Sequence, residues 1–153
     1  MSAFNPEELL DFVLEESNST EVIKCPVGDY PAVIESATIK SWVKRDDPSV
    51  SGLTLDIQWD IQDEGAKEAT GRKTVKVKQG IMLDLLEDGR IDMSAGRNVG
   101  LGLFREALNM NQAGQPFRLR DTIGQAAVVR VEHRADKNDS TRVYEEVKRV
   151  SRM

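Results

Sequence analysis

A mainly β domain with one substantial helix and a helical start is what this sequence predicts, on three observations. Residues 53–62, LTLDIQWDIQ, set Leu53, Leu55, Ile57, Trp59 and Ile61 against Thr54, Asp56, Gln58, Asp60 and Gln62 without a break. A period of two puts the first group on one face of a strand and the second on the other, so the apolar face needs other sheet surface to cover it. Alternation of the same kind recurs in residues 30–43, 73–83, 125–134 and 142–150. Within the body only residues 98–110 keep helical spacing instead.

The elements follow in order. Pro6 stands at a favoured first-turn position, with Asn5 or Ser2 as the cap and Glu7 and Glu8 at the positive end of the helix dipole. Leu9, Phe12 and Val13, with Leu10 beside them, keep helical spacing to about Glu16, and SNST at 17–20 ends the segment. Two readings of this acidic helix stay open. Its apolar side chains dock on the body, or it is a detachable anionic arm. Residues 1–23 are taken as that arm and 24–153 as the domain.

Cys25-Pro26-Val27-Gly28-Asp29 is a turn into a long strand over 30–43. Tyr30, Ala32 and Ile34 share one parity, and Ala37, Ile39 and Val43 the other, which predicts a bulge near Glu35-Ser36 and a bent strand serving two halves of a curled sheet. KRDDPSVSG at 44–52 is a polar loop. Residues 63–71 are read as a short connection without a crossover helix, making 53–62 and 73–83 an antiparallel pair. Residues 85–96 form a connection with two turn signals. In the helix at 98–110, Val99, Leu103, Ala107 and Met110 keep the spacing, and Leu101, Phe104 and Leu108 widen the face. The last strands carry Ala127, Val129 and Val131, then Val143 and Val147, around the polar turn ADKNDST at 135–141.

The element order is therefore βββαββ, with a long bent first strand. That is the order of an oligonucleotide/oligosaccharide-binding (OB) fold, a five-stranded partly open barrel; the alternative is an open β-sandwich with one packed helix. At 153 residues the chain is long enough to bury a core of its own. A charged fraction of 31%, a mean hydropathy of −0.44 and the lack of a long apolar run point to a soluble protein with no membrane partner. The acidic start is unlike a signal peptide, and a lone Cys25 fits a reducing compartment. Net charge is −5 but uneven: residues 1–23 carry −6, and residues 97–153 carry +4.

Chemistry-bearing patterns are sparse. His133 has the strand parity of the core valines and no Ser or Cys beside it in sequence, so no catalytic residue is assigned. Cys25 has no second Cys at ligand spacing. Asp84, Glu87, Asp88 and Asp92 lack the order of a calcium loop, and GRNVGLG at 96–102 lacks the Lys-Ser/Thr of a phosphate loop. No metal and no cofactor is expected.

Cations interleaved with rings are the stronger pattern. Binding a single strand with little sequence preference needs cations along the phosphates and flat rings for the bases, each stacked base contributing ~1–3 kcal/mol. Lys40, Trp42, Lys44 and Arg45 lie at the first loop, and Arg134, Lys137, Arg142 and Tyr144 around the last. Lys76 and Lys78 point away from the core together. Phe117, Arg118 and Arg120 form a further mixed cluster. Against this, Lys76 and Lys78 could face Asp56 and Asp60 as cross-strand pairs, and Trp42 could close the end of the barrel. Trp59 belongs by parity to the core. Asp56 and Asp60 on the outer face would repel phosphate, which shifts the expected DNA path toward the flanking loops.

PVGDYPAVIESA at 26–37, SGLTLDIQWDI at 51–61, GRKTVKVKQGIMLDL at 71–85, NVGLGLFREALNMNQAGQPF at 98–117 and IGQAAVVRVEHR at 123–134 together resemble a family of small phage proteins described as single-stranded DNA-binding or left uncharacterised. FNPEELLDFVLEES at 4–17 resembles the start of podovirus-type members. The resemblance implies an OB-like fold, single-stranded DNA as partner, and a role in DNA replication or recombination in the bacterial host cytoplasm. It brings no catalytic or base-stacking positions. Many phage single-strand binders end in an acidic tail that recruits replication proteins, whereas this sequence ends basic, VKRVSRM, and is acidic at its start. Either the acidic arm takes the tail's role toward phage replication proteins, or that mechanism is absent. The competing expectation is a protein-interaction or virion module whose acidic helix docks on a phage or host partner. The sequence sets no oligomeric state; a homodimer is one option.

Overall fold

A computed structural model describes residues 5–139 and 141–153. A single antiparallel sheet of five strands forms its body: β1 (Gly28–Val43), β2 (Ser51–Ile61), β3 (Val75–Leu83), β4 (Ala126–Ala135) and β5 (Val143–Ser151), in the spatial order β3-β2-β1-β4-β5. The helices among the described residues are α1 (Pro6–Leu10), α2 (Glu64–Thr70) and α3 (Val99–Ala107), with a 3-10 turn at Leu119–Thr122. None is long and apolar enough to cross a membrane.

The parity switch in β1 is a bulge: its pairing with β2 shifts between Ile34 and Ser36. Before it, Gly28 to Val33 pair with β4, and from Ala32 onward the strand pairs with β2. One bent strand thus joins two halves of the sheet. Past Val33 it has β2 on one side only, which is why Ile39 and Val43 stand exposed although their parity marks them as core; Ala37 alone of that set packs inward.

Four of the five inward residues that the pattern singled out in β2 are buried, and Leu53 is half-buried. Leu55, Ile57, Trp59 and Ile61 are buried against Val75 and Val77 of β3, and Ala127, Val129 and Val131 of β4 complete the floor. The indole N–H of Trp59 donates to Gln79 Oε1 at 2.9 Å, and its ring meets Phe104 of α3 edge-on, centroids 6.3 Å apart. The polar atom of the largest core residue is thereby satisfied and its ring clamped.

Three elements depart from expectation. The connection at 63–71 holds α2: Asp63 Oδ2 accepts the Ala66 N–H, and Gly71, at φ +69°, terminates the helix. Only Ala66 and Thr70 of that helix are buried, too few apolar residues to write a period into the sequence. In α3 the core stripe is Leu101, Phe104 and Leu108, while Val99 and Leu103 are exposed; both sets have helical spacing, and contact with the sheet selects the one carrying the large ring. The first helix stops at Leu10 instead of running to Glu16. Asn5 is its cap, accepting the Glu7 N–H, and Ser2 lies outside the described residues. Leu9, Leu10, Phe12, Val13 and Leu14 are each 62–80% exposed, so they do not dock on the body.

The outer strands β3 and β5 approach each other without forming a hydrogen-bonded ladder, so the sheet is curled but not closed. Side chains bridge the gap at one end. Arg72, just ahead of β3, meets Glu145 of β5 at 3.5 Å and donates to the Ile23 carbonyl at 2.9 Å. Glu145 also accepts the Cys25 N–H, and His133 Nε2 lies 2.7 Å from the Cys25 carbonyl oxygen. That acceptor requires the imidazole proton on Nε2. The parity of His133 therefore aims it at a backbone strap.

Candidate nucleic-acid interface

The predicted contacts fall on elements that register brings together. With Leu53 to Ile61 facing in, the outer surface of β1, β2 and β3 carries rows in strict order: Trp42 beside Gly52, Lys40 beside Thr54 and Met82, Thr38 beside Asp56 and Gly80, and Gln58 beside Lys78. Asp60 and Lys76 follow toward the start of β3. At that end the surface meets β5, where Lys76, Lys78, Arg142 and Tyr144 line one groove of about 740 Å³. Lys44 and Arg45 extend the surface beyond Trp42 in the exposed loop between β1 and β2. Arg134 and Lys137 lie at the turn between β4 and β5, both exposed.

Trp42 is half-buried and its ring lies over Gly52: a Cβ added there would stand 2.7 Å from the ring. Glycine is what lets the indole settle onto the neighbouring backbone. The indole N–H is buried with no partner among the described residues, a polar group held out of water by that packing. Tyr144 is 43% exposed and its hydroxyl donates to Asp136 Oδ2 at 3.1 Å, anchoring the ring at the edge of the groove. Asp136 is held below the usual carboxylate range, first by the Asn138 N–H and then by this hydroxyl.

The cations divide into two classes. Lys40 pairs with Asp56 at 3.0 Å, Lys76 with Glu35 at 2.8 Å, and Arg134 with Glu146 at 3.2 Å. Among the described residues, Lys44, Arg45, Lys78, Lys137 and Arg142 form no ion pair. The expected cross-strand partners are thus rearranged. Asp56 is neutralised from β1 by Lys40, and the bulge at Glu35 turns a carboxylate outward to take Lys76 and the Gln58 amide. Those two hydrogen bonds, the one from Lys76 first, lower the pKa of Glu35, and Glu35 in turn raises that of Lys76. Asp56 is thereby neutralised, while Asp60 forms no ion pair among the described residues and Glu35 adds a carboxylate to this face.

Residues outside the prediction share the groove. Thr20, Glu21, Val22 and Lys24 line it together with Lys76 and Lys78, brought there by the strap that Arg72 and Glu145 hold at Ile23 and Cys25. Nothing periodic marks 17–24 in the sequence; only tertiary pinning puts Glu21 beside the cations. Phe117, Arg118 and Arg120 lie elsewhere, with Phe117 stacked under the Arg105 guanidinium at 4.2 Å. Three of the carboxylates at 84–92 are engaged by nearby residues. Asp88 holds Arg90, Asp92 caps Ser94, and Asp84 accepts the Asn98 N–H. Cys25 is fully buried, and burial first, then the Glu145 charge, pushes its thiol pKa up from 9.0. No protein-family model matches the chain, and no curated protein does.

Proposed function

We propose that this protein is a non-enzymatic single-stranded DNA-binding protein of OB type that acts with little sequence preference. The observation that carries the reading is the groove where Lys76, Lys78, Arg142 and Tyr144 meet, continuous by strand register with Lys40 and Trp42. The strand order, the bent β1 shared by both halves and the facing edges of β3 and β5 support the barrel assignment. The phosphates run from Arg142 along Lys78 to Lys44 and Arg45, and bases stack on Tyr144 and Trp42. The phage origin, the role in replication or recombination, and action in the bacterial host cytoplasm rest on the sequence resemblance. Fluorescence anisotropy with a labelled oligothymidine tests the reading: binding at low salt that falls steeply as salt rises is expected. No binding at low salt sinks it.

One observation favours a second reading, a protein-interaction module for phage or host partners. Five large apolar side chains between Leu9 and Leu14 are uncovered and flanked by carboxylates. A nuclease-resistant partner that is lost when Phe12 and Val13 are made polar, together with no DNA binding, would select it.

A further inference from the structure

A second groove, of about 860 Å³, lies between the C-terminal half of β3, α3 and the end of β5. Ile81, Leu103, Phe104 and Val150 give it an apolar lining, and Leu103 and Met82 are 62% and 65% exposed there. Lys148, Arg149 and Arg152 supply its charge against the single carboxylate of Glu106. Arg152 is tied in place by its Nε donating to the Glu106 backbone carbonyl at 3.1 Å, while Lys148 and Arg149 have no ion-pair partner among the described residues. An apolar trough with a basic rim is suited to an apolar segment flanked by acids.

The chain contains such a segment. Residues 6–16, PEELLDFVLEE, pack five large apolar residues between Glu7, Glu8, Asp11, Glu15 and Glu16, with no cation. All five apolar side chains stand exposed, and the groove stands open in the same molecule. One chain therefore leaves both surfaces unsatisfied, and a second copy supplies each with its complement. We propose that residues 6–16 of one copy dock in the α3–β3–β5 groove of another, and that reciprocal docking builds a two-fold symmetric dimer. Each buried apolar side chain removes on the order of 100 Å² from water, so two exchanged segments with their grooves reach the roughly 1,200–2,000 Å² of a stable interface. Both copies use the same two patches, as a closed two-fold interface requires. The inference concerns self-association and does not rest on DNA binding.

Sedimentation velocity of the full chain across a concentration series, without DNA, tests it. The wild type is expected to dimerise reversibly. F12D/V13D and K148E/R149E should each shift the monomer–dimer midpoint at least tenfold upward, and all four positions are surface-exposed, so circular dichroism should remain unchanged. Combining K148E/R149E with E15K/E16K should restore association, which loss of folding could not do. A wild type that stays monomeric overturns the proposal, as does a dimer indifferent to both variants. A photo-crosslinker at position 12 that captures the groove of its own chain in a monomer also overturns it.

Discussion

Replacing Lys78 and Arg142 together by Gln removes two of the six cations on the proposed DNA face, Lys24 of the groove included, that form no ion pair among the described residues. Single-stranded binding releases counterions, and the slope of log K against log salt is about −0.7 per phosphate neutralised. Six unpaired cations, Lys24, Lys44, Arg45, Lys78, Lys137 and Arg142, predict a wild-type slope of about −4.2 on that relation. Lys40, Lys76 and Arg134 contribute less, because each must first leave Asp56, Glu35 or Glu146. K78Q/R142Q should flatten the slope by about 1.4. The assay is anisotropy of a labelled oligothymidine from low to physiological salt, with R118Q/R120Q as a control of equal charge change on another part of the surface. If the control flattens the slope as much as K78Q/R142Q does, net charge rather than this groove governs binding, and the reasoning fails.

Trp42→Ala should weaken DNA binding by roughly one stacking energy, ~1–3 kcal/mol, and Gly52→Ala should mimic part of that loss by lifting the ring from the backbone, read by the same anisotropy. Glu21→Gln should tighten binding, since it removes an anion from the groove that holds Lys76 and Lys78; unchanged affinity would detach this segment from the DNA path. Trp59→Ala should cost about 3–5 kcal/mol in urea unfolding, from a fully buried ring in contact with Phe104. Glu35, Asp92, Asp136 and Asp139 all have lowered pKa values, so the stability they contribute is present above their ordinary values of 4.5 and 3.8 and is lost as pH falls below them. The urea midpoint should therefore hold near neutrality and decline in that acid range, and a flat profile would refute the linkage.

What the sequence disclosed and what it hid divide along a physical line. The β2 alternation and the β1 bulge were legible because a period of two interrupted by a parity switch leaves few other solutions for burying Trp59 and Ile34. The helix at Glu64–Thr70 was not, because it buries only two small residues and its signals are an Asp cap and a terminal Gly. Val99 and Leu103 misled because two apolar stripes of equal spacing run along α3, and only Phe104 finds Trp59. At the site, strand parity marked Lys76 and Lys78 as outward, and proximity to loops marked Arg142 and Tyr144. That Lys40 rather than Lys76 would neutralise Asp56 depends on the register between β1 and β2, which no local pattern encodes. Glu21 entered the groove through contacts that Ile23 and Cys25 make with residues far along the chain.

Those contacts have a temporal consequence. The strap is fixed by hydrogen bonds spanning 49, 108 and 120 residues of sequence, and the Arg72–Glu145 pair that braces it spans 73. Contacts so distant in sequence form late, because closing long loops precedes any gain from them. During synthesis β3 is complete well before β5 exists, and until then its outer edge has no strand near it at all. An open strand edge of that kind is a template for pairing with other chains. Arrival of β5 thus sets a neighbour beside that edge, bridged by Arg72 and Glu145 rather than by a ladder, and nascent chains truncated before residue 145 should be the ones that aggregate.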